Sequence, residues 1–251
     1  MVMSGAESAT LWSSGVDAQS GWYDFNKARG GEESCLCWAI TASNMIAWWQ
    51  GQQETLPAGV PTGEAVWAAY KAAFDNSGSD PDQGLRWWFS GKYQPDQPQN
   101  LHAYAQLKQP GTGAYYPEGE ALFQSLLYRE RRVPLSVEVL TRAMYEGFSR
   151  GDTFWIGVGY LRRDGSRHTH SLNVWGMDYE LSEQNEPQLK AIYITDSDDG
   201  ARMLHRIPLR TVENRVLFDC AQHPLYGRIG DITINNYSAL RVRPQTPQVA
   251  P

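Results

Sequence analysis

The stretch Cys37-Trp38-Ala39-Ile40-Thr41-Ala42-Ser43-Asn44-Met45-Ile46-Ala47-Trp48-Trp49-Gln50 contains neither proline nor glycine and is closed by Gly51. Rich in alanine and apolar nearly all round, it reads as a buried helix with a glycine stop. Ser34 is placed to cap its start. Cys37 stands at the first position, where the positive end of the helix dipole favours thiolate over thiol. An ordinary thiol, with a pKa of about 8.5, is only about 3 % ionised at neutral pH, so an efficient nucleophile needs such a shift. The competing reading is a buried cysteine that merely packs.

Outward from this helix, the pattern of the chain changes once. Before it, some thirty residues rich in Gly, Ser, Asp and Asn read as an irregular lead-in. After it, Gly63 to Phe74 predicts a second helix, with Glu64 in its first turn. Asn76 to Gly84 reads as a turn, Leu85 to Phe89 as a short aromatic segment and Gln94 to Pro117 as loop. Two further helices are expected at Glu118 to Glu130 and Ser136 to Ser149, separated by Pro134. Beyond Gly151, β-branched and aromatic runs predict strands at Thr153 to Tyr160, Thr169 to Tyr179 and Leu189 to Thr195. Shorter strands are expected at Leu204 to Thr211, Arg215 to Phe218 and Tyr237 to Arg243. Helices followed by strands argue an α+β fold, with the cysteine helix packed on a mostly antiparallel sheet. The expected organisation is one domain over 1–251, helical over about 30–150 and strand-rich over about 151–245, with a Pro- and Gln-rich tail from Pro244.

Composition excludes several classes. The net charge is -6 and the basic clusters, Arg131-Arg132 and Arg162-Arg163, are short, which argues against nucleic acid as partner. No run of eighteen apolar residues is present, so no membrane span is expected. Met1 to Gly15 lacks the basic start and apolar run of a secretory signal. That leaves a protein that stays inside, one exported without a classical signal, or a mature form. Three cysteines make no disulfide framework, although Cys35 and Cys220 remain open as a pair. There is no second Cys/His cluster at zinc spacing.

Two further residues join Cys37. His170 opens an alternating segment in which His170, Leu172 and Val174 point one way and Ser171, Asn173 and Trp175 the other. His168 would share its face, but no third metal ligand accompanies the pair. Asp196 follows the strand Ala191 to Thr195. From there a carboxylate could hold the Nδ1 proton of His170 and favour the imidazolium that stabilises a thiolate. Taken singly, these residues also fit a packed cysteine, a satisfied histidine and a polar Asp-Asp-Gly turn. A calcium loop at Asp196 fails, because Gly200 and Ile207 stand where ligands belong.

Cys37-Trp38-Ala39 resembles the Cys-Trp-Ala run of papain-like proteases. A closer resemblance is to the IdeS/Mac family of immunoglobulin-degrading streptococcal proteases. It is carried by Trp12 to Val16, Gly21 to Lys27, Leu36 to Met45 with Trp48-Trp49, His170 to Gly176 and Ala191 to Asp198. These blocks span Trp12 to Asp198, with little matched between Gln50 and Thr153. The resemblance implies a papain-like fold and a secreted bacterial cysteine endopeptidase acting on a protein substrate, with immunoglobulin as a candidate. It implies Cys37 as nucleophile, His170 as base, Asp196 as orienting acid with Asp198 as a candidate second contributor, and Lys27 in the oxyanion hole. No cofactor or metal is implied. Two other readings remain. One is a deamidase or transglutaminase using the same residues on a Gln side chain. The other is a silent binding module presenting Trp87-Trp88-Phe89 and Tyr115-Tyr116, although these rings are better explained as core.

Overall fold

Helix α1 (Cys37–Gly51) is buried along almost its whole length, as its lack of a polar face requires. The computed structural model describes residues 8–28, 31–94, 104–129, 135–162, 164–221, 223–224, 226–227 and 229–244. Arg131-Arg132, Arg163, Pro134, Glu130 and the tail beyond Pro244 lie outside the described residues. Around α1 pack α2 (Glu64–Ala73), α3 (Pro81–Ser90) and α4 (Gly119–Leu126). Trp38, Trp48, Trp87, Trp88, Tyr70 and Phe89 fill the space between them and are fully buried. With Tyr116 also buried and Tyr115 packed against the same cluster, these rings offer no exposed patch for a partner.

Ser34 does not cap α1. The N-cap is Leu36 and, among the described residues, no side chain bonds the free N–H groups of the first turn, which also carries no acidic residue. The positive helix end at Cys37 is therefore not neutralised by its own first turn. The segment read as a turn followed by an aromatic stretch is largely one helix, α3. Asp80 accepts a hydrogen bond from the Asp82 N–H at 2.7 Å, Pro81 opens the helix and Gly91 ends it in the left-handed conformation. Asp-Pro followed ten residues later by Gly is a start-and-stop signal that the turn-forming residues upstream obscured. Helix α4 ends at Leu126, where the short strand β2 (Leu127–Arg129) takes over. Helix α5 (Val137–Ser149) is capped by Ser136, whose hydroxyl accepts from the Val139 N–H.

The lead-in is not wholly irregular, since Ser8–Trp12 forms β1. The remaining strands are β3 (Thr153–Leu161), β4 (Arg167–Leu181), β5 (Pro187–Thr195), β6 (His205–Val212), β7 (Arg215–Phe218) and β8 (Thr233–Leu240). The α+β, papain-like expectation is corrected here. Strands β4, β3, β8, β7, β6 and β5 pair antiparallel in that order, and β5 pairs again with β4, closing a six-stranded barrel. With β1 and β2 added, strand exceeds helix among the described residues. The physical cause lies in β4. It is fifteen residues long, pairs with β3 and then β1 along one edge, and is bulged at Trp175 against β5 along the other, where β5 is itself bulged at Lys190. Bulges bend and twist a strand, and this one carries the sheet round to meet its own edge. Alternation in the sequence marks each strand but not which edges meet.

Period-two alternation then separates two cores. Phe154, Ile156, Leu172, Val174, Ile192, Ile194, Ile207 and Ile234 form one cluster with Leu140, Met144 and Phe148 of α5. Trp155 and Trp175 point the opposite way, into the cluster around α1. Among the described residues no helix is long and apolar enough to cross a membrane.

Candidate active site

Helix α1 meets strand β4 through side chains that hold it in register. Asn44 Nδ2 donates to Asn173 Oδ1 at 2.9 Å, and Asn173 Nδ2 donates to the Thr41 carbonyl at 3.0 Å. Thr41 Oγ1 donates to the Ser171 carbonyl, and Asn44 Oδ1 accepts from the Phe25 N–H. All four linking residues, Thr41, Asn44, Ser171 and Asn173, are buried. Satisfied buried polar networks fix geometry because every broken bond leaves a desolvated partner. The consequence is that Cys37, at the first residue of α1, sits beside His170, which directly precedes Ser171.

The Cys37 thiol lies beside His170 and the Ser171 N–H, and both act on its ionisation. Burial pushes the thiol up. The His170 ring and its charge, the nearby Lys27 ammonium and the Ser171 N–H outweigh that and hold it below its ordinary value. For His170, burial works against the charged ring. The charge and hydrogen bond of Asp196, with Cys37, raise it well above the ordinary imidazole value. Both shifts point to one state, thiolate beside imidazolium.

Asp196 Oδ1 bonds His170 Nε2 at 2.7 Å. The expected contact at Nδ1 is thus corrected: Asp196 takes Nε2, leaving Nδ1 as the nitrogen that can face sulfur. Burial alone would raise the Asp196 carboxyl. His170, the Tyr226 hydroxyl and the Asp198 N–H reverse this and keep it well below the carboxylate range. Tyr226 Oη donates to Asp196 Oδ2 at 2.5 Å and the Asp198 N–H donates to Oδ1 at 2.9 Å. Asp198 is half-exposed; its carboxylate lies 3.8 Å from His170 Nε2 and pairs with Lys27 Nζ at 2.5 Å. Lys27 is buried, and its ammonium also donates to the Ser34 carbonyl at 3.2 Å. Two of its three protons are thereby used, leaving one free to donate.

All five residues singled out in the sequence, Cys37, His170, Asp196, Asp198 and Lys27, therefore meet in one place. Cys37, His170, Lys27 and Asp198 line a cleft of about 1020 Å³ between the helical layer and the sheet, with Asp196 buried behind. His170, Asp196 and Asp198 also offer ligand atoms within 4.8 Å of one another, a spacing that suits a metal ion. The position a cation would take is already balanced by the His170 and Lys27 charges. Cys35 is exposed, Cys220 is buried and both are free, so the two do not pair. Tyr226 was not legible, since nothing near it marks a tyrosine that reaches back thirty residues. Asn44 and Asn173 lie inside the quoted blocks, but their mutual bond is a product of the fold.

The Mac 1 family model matches residues 3–56, a stretch that contains Lys27 and Cys37 and ends well before His170. This is the model of the IdeS/Mac family, and it covers about a fifth of the chain. The resemblance drawn from Trp12 to Asp198 is corrected accordingly: the match supports its first part only, and the papain-like label falls with the closed barrel. No curated protein matches the chain.

Proposed function

We propose that the protein is a cysteine endopeptidase that hydrolyses peptide bonds of a protein substrate. One observation carries this reading. A thiol at an uncapped helix start lies beside a histidine whose Nε2 is held by a buried carboxylate, and thiol and imidazole open on one cleft. The Mac 1 match around Cys37 agrees with it.

The roles follow from the contacts. The Cys37 thiolate attacks the scissile carbonyl, and the oxygen takes the negative charge. The remaining Lys27 proton and the Cys37 N–H, free at the helix start, stabilise that oxyanion. The His170 imidazolium gives its proton to the leaving amine, so the C–N bond breaks and an acyl-thioester remains. Neutral His170 then takes a proton from water, whose oxygen displaces sulfur and regenerates the pair. Asp196 holds the imidazolium in position through Nε2, and Tyr226 and the Asp198 N–H hold Asp196. Asp198 anchors Lys27 and adds a second negative charge near the ring. A secreted enzyme acting on immunoglobulin is the first substrate reading to test.

The test is a search for new protein N-termini in serum and in a cell lysate, each incubated with the native protein and with Cys37→Ala. New termini made only by the native protein are the expected result. Gln-to-Glu conversion without new termini would replace the endopeptidase with a deamidase. Neither change in either mixture would remove the hydrolase reading.

A further inference from the structure

Strand β8 carries a bulge beside the cleft. Gly157 of β3 faces Asn236 and Val158 faces Ile234, so Asn235 is an extra residue with no partner opposite. A bulge places two neighbouring residues against one and re-aims their side chains. Asn235 and Asn236 are both exposed, both line the cleft that holds Cys37, and neither has a side-chain hydrogen bond among the described residues. The opposite strand is shaped to receive them. A Cβ on Gly157 would lie 1.9 Å from Asn236 Oδ1, and one on Gly159 would lie 2.4 Å from Asn235 Nδ2. Two glycines, neither of them in a turn nor at a positive φ, thus leave room for two amides lying across β3.

We propose that Asn235 and Asn236 form a clamp for the main chain of an extended polypeptide substrate, a proposal that rests on the endopeptidase reading. A carboxamide matches a peptide unit group for group, one carbonyl acceptor and an N–H donor, so a pair of them binds backbone without regard to side chain. Their place fits. In the register Ser171, Gly157, Asn236, the asparagine stands two strands from the residue after His170, about 10 Å at the usual strand spacing. An extended chain covers that distance in about three residues. The pair therefore grips the substrate about three residues from the scissile bond.

The test measures alkylation of Cys37 by two ladders of alanine peptides, one to five residues long. In one, N-acetyl peptidyl chloromethyl ketones, the chain runs from the electrophile toward its amino end. In the other, bromoacetyl peptide amides, it runs toward the carboxyl end. Iodoacetamide serves as the control that cannot reach the pair. The rate should step up about tenfold in one ladder between two and four residues. In Asn235→Ala/Asn236→Ala the step should vanish, with the iodoacetamide rate unchanged. Gly157→Ala, whose new Cβ displaces the flexible end of Asn236, should weaken the step by the same route while leaving the fold intact. A ladder without a step, or a step that survives the double substitution, overturns the clamp. Iodoacetamide that fails to prefer Cys37 over Cys35 overturns the endopeptidase reading instead, and the clamp with it.

Discussion

Asp24 should make this protein less stable as the pH rises toward neutrality, and Asp24→Asn should reverse that. The carboxyl is buried; one oxygen accepts the Met203 N–H at 2.9 Å and the other has no partner among the described residues. Burial, helped by the charges of Asp199 and Asp196, pushes it from 3.8 up to about 7. A carboxyl raised in the folded state binds its proton more tightly there than in the unfolded chain. Its contribution is fully present below pH 4 and is lost as pH rises to 7. The shift is about three units, so the charged side chain costs up to about 4 kcal/mol above pH 7. Asparagine keeps an acceptor for Met203 and carries no charge. The assay is urea unfolding of native protein and Asp24→Asn at pH 4, 5.5, 7 and 8. The variant should gain nothing at pH 4, then increasingly more, levelling off above pH 7. A difference that stays flat across this range would refute the reasoning.

Other perturbations test the site and its frame. Asp196→Asn removes a charge-assisted bond of about 1.5–3 kcal/mol, so alkylation of Cys37 at pH 6–7 should fall roughly 10- to 100-fold. The onset of fast alkylation should move to higher pH, because a weaker imidazolium charge no longer holds the thiol down. Lys27→Met should lower kcat about 100-fold with little change in KM, measured on whichever substrate the search for new termini identifies, since the oxyanion exists only after attack. Gly119→Ala would set a Cβ 1.7 Å from the Phe89 carbonyl oxygen, and should destabilise the protein by about 3 kcal/mol in chemical denaturation.

The sequence was most readable where pattern and chemistry are local. The periodicity of Gly63 to Phe74 became α2 over Glu64–Ala73, and the β-branched run from Thr153 became β3. Boundaries slipped where one signal hid another, as when the turn residues Asn76 to Ser79 masked the Asp80-Pro81 helix start. Closure of the barrel was illegible because it depends on bulges in β4 and β5, which follow from pairing at both edges and leave no mark in hydrophobic alternation. The five candidate site residues were proposed partly from resemblance, and chain order alone could not have set the 2.7 Å contact at Nε2 rather than Nδ1. Tyr226 and the Asn235–Asn236 bulge lie in segments whose composition is ordinary. The relation of the two asparagines to the cleft exists only once β8 has paired with β3.

The proposed chemistry requires an activated thiolate at the start of α1. Its most direct test is brief iodoacetamide labelling of the native protein at pH 6, with the modified fraction of Cys37 and of the exposed Cys35 read from the same digest. At that pH a thiol of pKa about 8.5 is about 0.3 % ionised. A fully formed ion pair holds about 300-fold more thiolate, and its lower basicity offsets part of that, leaving an advantage of roughly tenfold. Labelling of Cys37 about ten times faster than Cys35, lost in His170→Ala, is the predicted result. Equal or slower labelling of Cys37 would contradict the account.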